Sequence, residues 1–206
     1  MPDIDAQMIT IPARVRVADH QPQAAAQAQQ RAGDPGLPDE AIFVFEAEIS
    51  NSELDAYFTH MAPSSLQNYA QAAARGVAML DSHDGGKLPV AYSMAGQFRQ
   101  DGDRAYVVAT FYTRHGIRFG GQHSFATTDD LIAAIQAGLV RDVSIGFYGG
   151  QHVCDICGRD YYGLWHDPNA TEYCPHIAGV SYDVPAGEGI KRQTICTLTV
   201  ENASLA

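Results

Sequence analysis

The stretch AGQFRQDGDRAYVVATFYT, residues 95–113, carries the clearest hairpin signal in the sequence. Turn-forming residues at Asp101 and Gly102 separate two runs, and the second run is rich in β-branched and aromatic residues. Two such runs around a short polar turn predict a pair of antiparallel strands. We therefore expect a meander of antiparallel strands in the fold.

Further strands are predicted on both sides of this hairpin. The run AIFVFEAEIS, residues 41–50, is β-rich and ends in polar residues. Residues 192–206, RQTICTLTVENASLA, alternate in the way expected of a strand with two unlike faces. With the apolar runs at residues 77–80 and 143–147, the chain contains six or more predicted strands.

About three helices are predicted between these strands. The segments SELDAYF (52–58) and SSLQNYAQAAARG (64–76) each begin with serine, a common N-cap, and the second ends in glycine, a common C-cap. A third helix follows Thr127, where Asp130 completes a capping-box pattern and Gly138 marks the end. Since there is no regular βαβ alternation, the sequence predicts a β-dominated α+β fold.

The N-terminal part of the chain has a different composition. Residues 17–40 are rich in Ala, Gln and Pro and contain hardly any large apolar side chains. A segment of this kind buries too little surface to offset the loss of chain entropy. We therefore predict a flexible tail over residues 1–40 and a folded domain over residues 41–206.

The overall composition excludes some classes of partner. The 206 residues carry a formal net charge of -11, and the thirteen basic residues are scattered, unlike the clusters that neutralise nucleic-acid phosphates. No apolar run approaches the roughly 20 residues of a membrane span, and the start MPDIDAQMITIPARV lacks a secretory-signal pattern. We expect a cytosolic protein with reduced thiols and with neither nucleic acid nor membrane as a partner.

Three of the four cysteines and one histidine form a metal-binding pattern. Cys154-x-x-Cys157 is followed, sixteen residues later, by Cys174-x-His176. Two thiolates on one tight turn and a second pair downstream are typical of a closed structural Zn²⁺ site. The sequence predicts a small zinc-binding insertion over residues 149–180, in which the metal replaces a core.

The spacing leaves alternatives for the metal site open. His152, His166 and Cys196 are competitors of His176 for the fourth position. A catalytic zinc, with Glu172 as a nearby base, is a further alternative, but it would need an open coordination position.

Ser144 in the predicted strand VSIGF is a candidate nucleophile. A lone serine is most often structural, so the signal has to come from partners, namely an imidazole base and a group that orients it. His83 in DSHDGG, residues 81–86, is expected at or just beyond a strand end and is the candidate base. Triad members converge from distant positions, so spacing alone does not decide between these interpretations.

Three segments together resemble the prohead proteases of tailed bacteriophages, distant relatives of the herpesvirus maturation proteases. They are VAMLDSHD (77–84), AIQAGLVRDVSIGF (134–147) and LTVENASLA (198–206). In that family a turn histidine is followed by a helix that ends in glycine, by a strand with the nucleophilic serine, and later by a strand with a Glu-x-Ser-Leu pattern. The resemblance spans about residue 42 to the last residue.

The resemblance implies a barrel-like, herpesvirus-protease-like core of antiparallel strands. It also implies that Ser144 is the nucleophile, that His83 is the general base and that Glu201 takes the third position of the triad. Asp81 and Asp84 flank His83 and are the alternative orienting groups.

The function implied is a serine endopeptidase that acts in the host cytoplasm, inside the immature phage shell. Its substrates would be scaffold and major capsid proteins, with self-cleavage possible, and the herpesvirus relatives suggest a homodimer. Two alternatives from other classes remain. One is a non-catalytic zinc-ribbon structural or adaptor protein of a phage particle, and the other is a metallohydrolase built on the cysteine and histidine residues.

Overall fold

A computed structural model describes residues 15–17, 22–120, 123–166, 169, 172–187 and 189–205 of the chain. It is a β-dominated α+β fold. The strands are β1 (Val15–Val17), β2 (Ile42–Asn51), β3 (Thr59–Met61), β4 (Ala78–Met79), β5 (Ala91–Asp101), β6 (Arg104–Arg114), β7 (Phe147–Tyr148), β8 (Gln151–Cys154), β9 (Ser181–Pro185), β10 (Lys191–Ile195), β11 (Leu198–Glu201) and β12 (Ser204–Leu205). The helices are α1 (Pro22–Arg31), α2 (Pro63–Arg75), α3 (Thr128–Gln136) and the one-turn α4 (Gly163–His166).

The predicted hairpin is the centre of the main sheet. Strands β5 and β6 pair antiparallel around a turn at Gly102, whose φ of +57° suits glycine. The sheet order is β1-β2-β6-β5-β4, every neighbouring pair is antiparallel, and the sheet curls into half of a barrel. Side chains of β6 alternate between the core and the surface, as is typical of a strand with one buried face.

Helix α2 covers the concave core of this sheet. It begins with Pro63 as its first residue, after Ala62 rather than a serine as N-cap, and it ends before Gly76 as predicted. Its buried residues Leu66 and Tyr69 face the sheet. Gly96 of β5 permits this close approach, because a Cβ there would collide with the backbone carbonyl of Ala70.

Helix α3 confirms the capping-box prediction. The Asp130 backbone N–H donates to Thr127 Oγ1 at 3.2 Å, and the Thr127 N–H donates to Asp130 Oδ2 at 2.8 Å. Gly138, with φ +67°, lies just after the helix end. No helix in the described part of the chain is long and apolar enough to cross a membrane.

The helix predicted over residues 52–58 is wrong. The Asp55 carboxylate accepts hydrogen bonds from the backbone N–H groups of Tyr57 and Thr59, at 2.8 and 2.9 Å, and from the Thr59 hydroxyl. This local side-chain bonding favours a turn over a helix. The turn leads directly into β3.

The predicted flexible tail is also wrong for residues 15–17, which pair with β2, and for residues 22–40, whereas residues 1–14 and 18–21 lie outside the described residues. Helix α1 packs the fully buried Ala28 against Ile42 and Met94 of the main sheet. Small alanine side chains permit this contact without large apolar residues. The Arg31 guanidinium also donates to the carbonyl groups of Ala74 and Arg75, at the end of α2.

The strand predicted over residues 192–206 is divided into three. Strand β10 forms a hairpin with β9, β11 lies between β3 and β8, and β12 pairs with β7. Cys196 is fully buried at the break between β10 and β11. This arrangement places the end of the chain beside the segment that carries Ser144.

Candidate functional site

Ser144 lies on an exposed segment that connects α3 to β7. The predicted strand at residues 143–147 is wrong for Ser144, because only Phe147 and Tyr148 pair with β12, which is two residues long. Val143 and Ile145 on either side pack against the core and so turn Ser144 outward. The Ser144 hydroxyl makes no hydrogen bond within the described residues.

His83 lies in the turn that follows β4, as predicted. Ser82 and His83 both have left-handed backbone conformations, with φ of +59° and +56°. Such angles are uncommon for residues other than glycine and tend to mark functional sites when they cluster. The His83 ring is exposed and has no hydrogen-bond partner among the described residues.

Ser144 and His83 line the same cavity, which we call the His83 cavity and whose volume is about 330 Å³. Its interior is largely apolar, with Val90, Phe111 and Leu131 among the walls. Two of the three predicted catalytic residues therefore border one cavity, although α3 and the main hairpin separate them along the chain. Gly146 also lines this cavity.

Asp81 holds the His83 turn in place. Its buried carboxylate accepts hydrogen bonds from the Ser124 N–H at 2.6 Å, the Ser124 hydroxyl at 2.8 Å and the Ser82 hydroxyl at 3.1 Å. Lys87 Nζ lies 3.2 Å from the same carboxylate, and His123 Nδ1 lies 3.8 Å from it. The backbone N–H of Ser124 is the main cause that lowers the pKa of Asp81 far below its ordinary value, although burial opposes this shift.

Replacing Asp81 with asparagine is expected to lower the free energy of unfolding by about 2 kcal/mol at pH 7, the usual cost of an impaired buried hydrogen-bond group. Because the folded-state pKa is depressed, the ionised carboxylate stabilises the fold above the ordinary value of 3.8, and this stability is lost as the pH falls below it. Urea unfolding at pH 7 and pH 3 measures the difference in the free energy of unfolding between the wild type and Asp81→Asn. This difference should be smaller at pH 3 than at pH 7.

The exposed Asp84, in the same turn, provides the matched control. Among the described residues, its carboxylate accepts from the nearby Gly86 N–H alone, and it lies 3.9 Å from Lys87 Nζ. Asp84→Asn should therefore change stability little at either pH. If Asp81→Asn destabilised the protein equally at both pH values, the Asp81 charge would not be the source of the stabilisation.

Glu201 is the predicted residue that the structure does not bring to the His83 cavity. It lies on β11 opposite Gln151 of β8, is partly buried, and is not among the residues that line either cavity beside Ser144. Asp81 is also unavailable to orient the His83 ring, because its carboxylate is engaged by Ser82, Ser124 and Lys87. The third member of a triad therefore stays a prediction from the resemblance.

A second cavity of about 290 Å³ lies on the other side of the Ser144 segment, and we call it the His60 cavity. His60, Glu48 and Asn51 belong to its walls together with Ser144. No sequence motif singles out His60, which follows the Asp55 turn. Asp155, which contacts it, was also missed, although its position inside the Cys-x-x-Cys turn was a usable signal.

The four predicted metal ligands converge. One atom from each of Cys154, Cys157, Cys174 and His176 lies within 4.8 Å of the others, and we call this set the cysteine cluster. Cys157 Sγ and Cys174 Sγ are 3.8 Å apart, and Cys154 Sγ is 3.5 Å from His176 Nδ1. A tetrahedral zinc with bonds of about 2.3 Å to sulfur needs a sulfur separation of about 3.8 Å. The donor set therefore fits a closed metal site.

The thiols of this cluster differ in acidity. Burial raises the pKa of Cys174 to about 12. Burial also opposes ionisation of Cys154, but the backbone N–H groups of Cys157 and Ile156 outweigh it and lower the pKa of this thiol. Cys154 is therefore more readily ionised than Cys174, and metal binding would displace the remaining protons.

The competing ligands have different positions. Cys196 Sγ lies 3.7 Å from Cys154 Sγ but belongs to the β10–β11 break and not to the four-residue group. The His152 ring packs against Tyr162 and Phe147, and the His166 side chain lies outside the described residues.

Glu172, the candidate base of the alternative catalytic zinc site, forms an ion pair of 3.3 Å with Arg159. Four protein ligands fill a tetrahedral site, which is the composition of a structural centre rather than a catalytic one.

Comparison with protein-family models, curated proteins and solved structures finds no match for this chain.

Proposed function

We propose that the protein is a serine endopeptidase in which Ser144 is the nucleophile and His83 is the general base. The observation that carries the proposal is that Ser144 and His83, from separate parts of the chain, line one cavity. Both side chains are exposed and neither is hydrogen-bonded within the described residues, so each is free to engage a substrate. The cavity offers an apolar space beside the reacting groups.

The reaction is acyl transfer to Ser144. His83 takes the hydroxyl proton as the Ser144 oxygen attacks the carbonyl carbon of a peptide bond, and it returns the proton to the departing amine. Water then attacks the acyl-enzyme and loses a proton to His83. His83 passes this proton to the Ser144 oxygen as the acyl bond breaks and the carboxylate product leaves. Gly146, which lines the same cavity, supplies the candidate backbone N–H for the oxyanion.

The resemblance to prohead proteases supports the biological setting of this proposal. In that setting the enzyme acts in the host cytoplasm within the immature phage shell, on scaffold protein, major capsid protein and itself. A homodimer is part of the same expectation. From the same resemblance we propose a herpesvirus-protease-like topology for the core.

Zinc is the metal we propose for the cysteine cluster. Three sulfur donors and one imidazole match its preferred ligands, and when bound it would supply folding energy to residues 149–180. It has no step in the peptide-bond chemistry.

A fluorophosphonate probe is expected to form an adduct on Ser144, which peptide mass spectrometry would locate. An alkoxide activated by a neighbouring base reacts with such probes, whereas an ordinary surface serine does not. Ser144→Ala should lose the adduct. Ser181→Ala, at an exposed serine of the β9–β10 hairpin, should keep it and is the matched control.

The exposed, unpaired His83 ring and the complete cysteine cluster favour one second candidate, a non-catalytic zinc-ribbon structural or adaptor protein. If the folded, metal-loaded protein gave no adduct on Ser144, this candidate would replace the protease. A metallohydrolase is disfavoured, because the cluster already provides four ligands.

A further inference from the structure

The His60 cavity contains an imidazole that is held by a carboxylate of the metal turn. His60 Nε2 lies 3.0 Å from Asp155 Oδ2 and 2.8 Å from Thr199 Oγ1. The Thr199 hydroxyl donates to Asp155 Oδ1 at 2.6 Å, and the Thr197 hydroxyl donates to Asp155 Oδ2 at 2.5 Å. These four side chains form one connected network beside the paired strands β3 and β11.

Hydrogen-bond accounting fixes the tautomer of His60. The Thr199 hydroxyl has one proton, which it donates to Asp155, so its oxygen accepts from His60 Nε2. The ionised carboxylate of Asp155 also only accepts. The proton of a neutral His60 ring is therefore on Nε2, and its Nδ1 carries a lone pair that can accept a hydrogen bond.

This Nδ1 acceptor belongs to a side chain that reaches the Ser144 segment. The His60 side chain is 37% exposed, and the ring lines the same cavity as Ser144. No described residue donates a hydrogen bond to His60 Nδ1. An extended peptide bound across Ser144 would present backbone N–H groups to this wall, on the side opposite the His83 cavity.

Asp155 connects the ring to the cysteine cluster. It lies inside the turn between Cys154 and Cys157, and its own N–H donates to the Thr197 carbonyl at 3.0 Å. The position of the carboxylate thus depends on the turn that the metal ligands form. Loss of that turn would release the only carboxylate that holds His60 among the described residues.

We propose that His60 is a substrate-binding residue of the Ser144 site, whose Nδ1 accepts a hydrogen bond from a backbone N–H of a peptide substrate. Asp155 is the positioning residue that acts through His60 and makes this contact depend on the metal. The inference rests on the proposed endopeptidase function and adds a protein-chain substrate contact to it.

The test compares two fluorophosphonates with the same reactive group, one with a plain alkyl chain and one with a peptide-like chain of amides. The readout is the second-order rate constant for labelling Ser144 with the peptide-like probe, divided by the rate constant with the alkyl probe. His60→Gln keeps a donor where Nε2 lies but has no acceptor at Nδ1. It should lower the ratio about fivefold, the usual value of one neutral hydrogen bond, without slowing the alkyl probe.

His60→Asn supplies the opposite control, because its amide oxygen can occupy the Nδ1 position while the link to Asp155 is lost. Its rate ratio should lie between that of His60→Gln and that of the wild type. Glu172→Gln, which alters only an exposed ion pair in the same insertion, should leave the ratio unchanged. An unchanged ratio in His60→Gln would overturn the proposal. So would an equal loss with both probes, since His60 would then serve the chemistry itself.

Ring ¹H–¹⁵N spectra of the histidines test the metal link without activity. The metal-loaded protein should show the Nε2–H tautomer for His60, and Asp155→Ala or a chelator should abolish that signal pattern. An unaltered His60 signal after chelation would disprove the link to the metal. If neither probe labelled wild-type Ser144, the endopeptidase proposal and the substrate contact would both be rejected, while the spectra would still decide on Asp155.

Discussion

Replacing His83 with asparagine is expected to lower the rate of Ser144 labelling by fluorophosphonate about a thousandfold. General-base catalysis by a positioned side chain contributes roughly 10² to 10⁴ in rate, and the asparagine amide cannot take a proton. Asparagine is the suitable replacement because it tolerates the left-handed conformation that His83 adopts, with φ of +56°. The second-order rate constant is the measurement.

Thermal unfolding should show that this variant is intact, since His83 is exposed and holds no other described group. Asp84→Asn tests the other flanking carboxylate. Because Asp84 accepts from the Gly86 N–H and lies near Lys87 Nζ, we expect labelling at nearly the wild-type rate, and a large loss would make Asp84 the group that orients His83. Glu201→Gln provides the informative comparison, because β11 carries Glu201 away from the His83 cavity. A small effect is expected. A loss as large as that of His83→Asn would instead establish Glu201 as the third triad member.

Removal of the metal is expected to unfold residues 149–180 while the main sheet stays folded. Among the described residues, the apolar cluster around the metal ligands has Cys154, Cys196 and Leu198 as its buried members, so little hydrophobic energy supports it. Structural zinc contributes on the order of 10 kcal/mol to small domains. Hydrogen exchange of backbone amides, before and after chelation, should show loss of protection in β8 and α4, the strand and helix of this segment.

Native mass spectrometry should find one zinc ion per chain in the wild type and none in Cys174→Ser. Cys196→Ala is the matched control, because it removes a buried thiol 3.7 Å from Cys154 that lies outside the cluster. It should retain the ion. If exchange protection in residues 149–180 survived chelation, the cysteine cluster would not be the source of stability in this segment.

Local signals explain why parts of the fold were predictable. The β5–β6 hairpin follows from a turn at Gly102 between β-prone runs, and α3 follows from the Thr127 and Asp130 pair. In both cases residues close in sequence form the deciding contacts. The cysteine spacing is similar, because a Cys-x-x-Cys turn brings its two sulfur atoms to one side.

Contacts between distant residues explain the failures. The composition of α1 predicts a tail, because its alanines are buried by distant residues such as Ile42 and Met94, which composition does not take into account. The apolar residues around Ser144 predict a strand, yet this segment lacks a long enough pairing partner.

Sequence reasoning found the candidate site only in part. His83 and Ser144 were selected individually, but no spacing rule indicates that they share a cavity. The His60 and Asp155 contact joins residues that are 95 positions apart, and neither belongs to a recognised pattern on its own. Such a pair can be recognised only in the folded structure, where distant parts of the chain lie side by side.

Helix α1 also determines how much of the chain a stable domain needs. It covers Ile42, Val44 and Met94 on the outer side of the main sheet, and Arg31 occupies the carbonyl groups at the end of α2. A shortened chain beginning at residue 41 would expose this apolar surface to solvent. Exposed apolar surfaces of this kind promote self-association. By covering this one, α1 helps to keep the folded domain from associating with other copies.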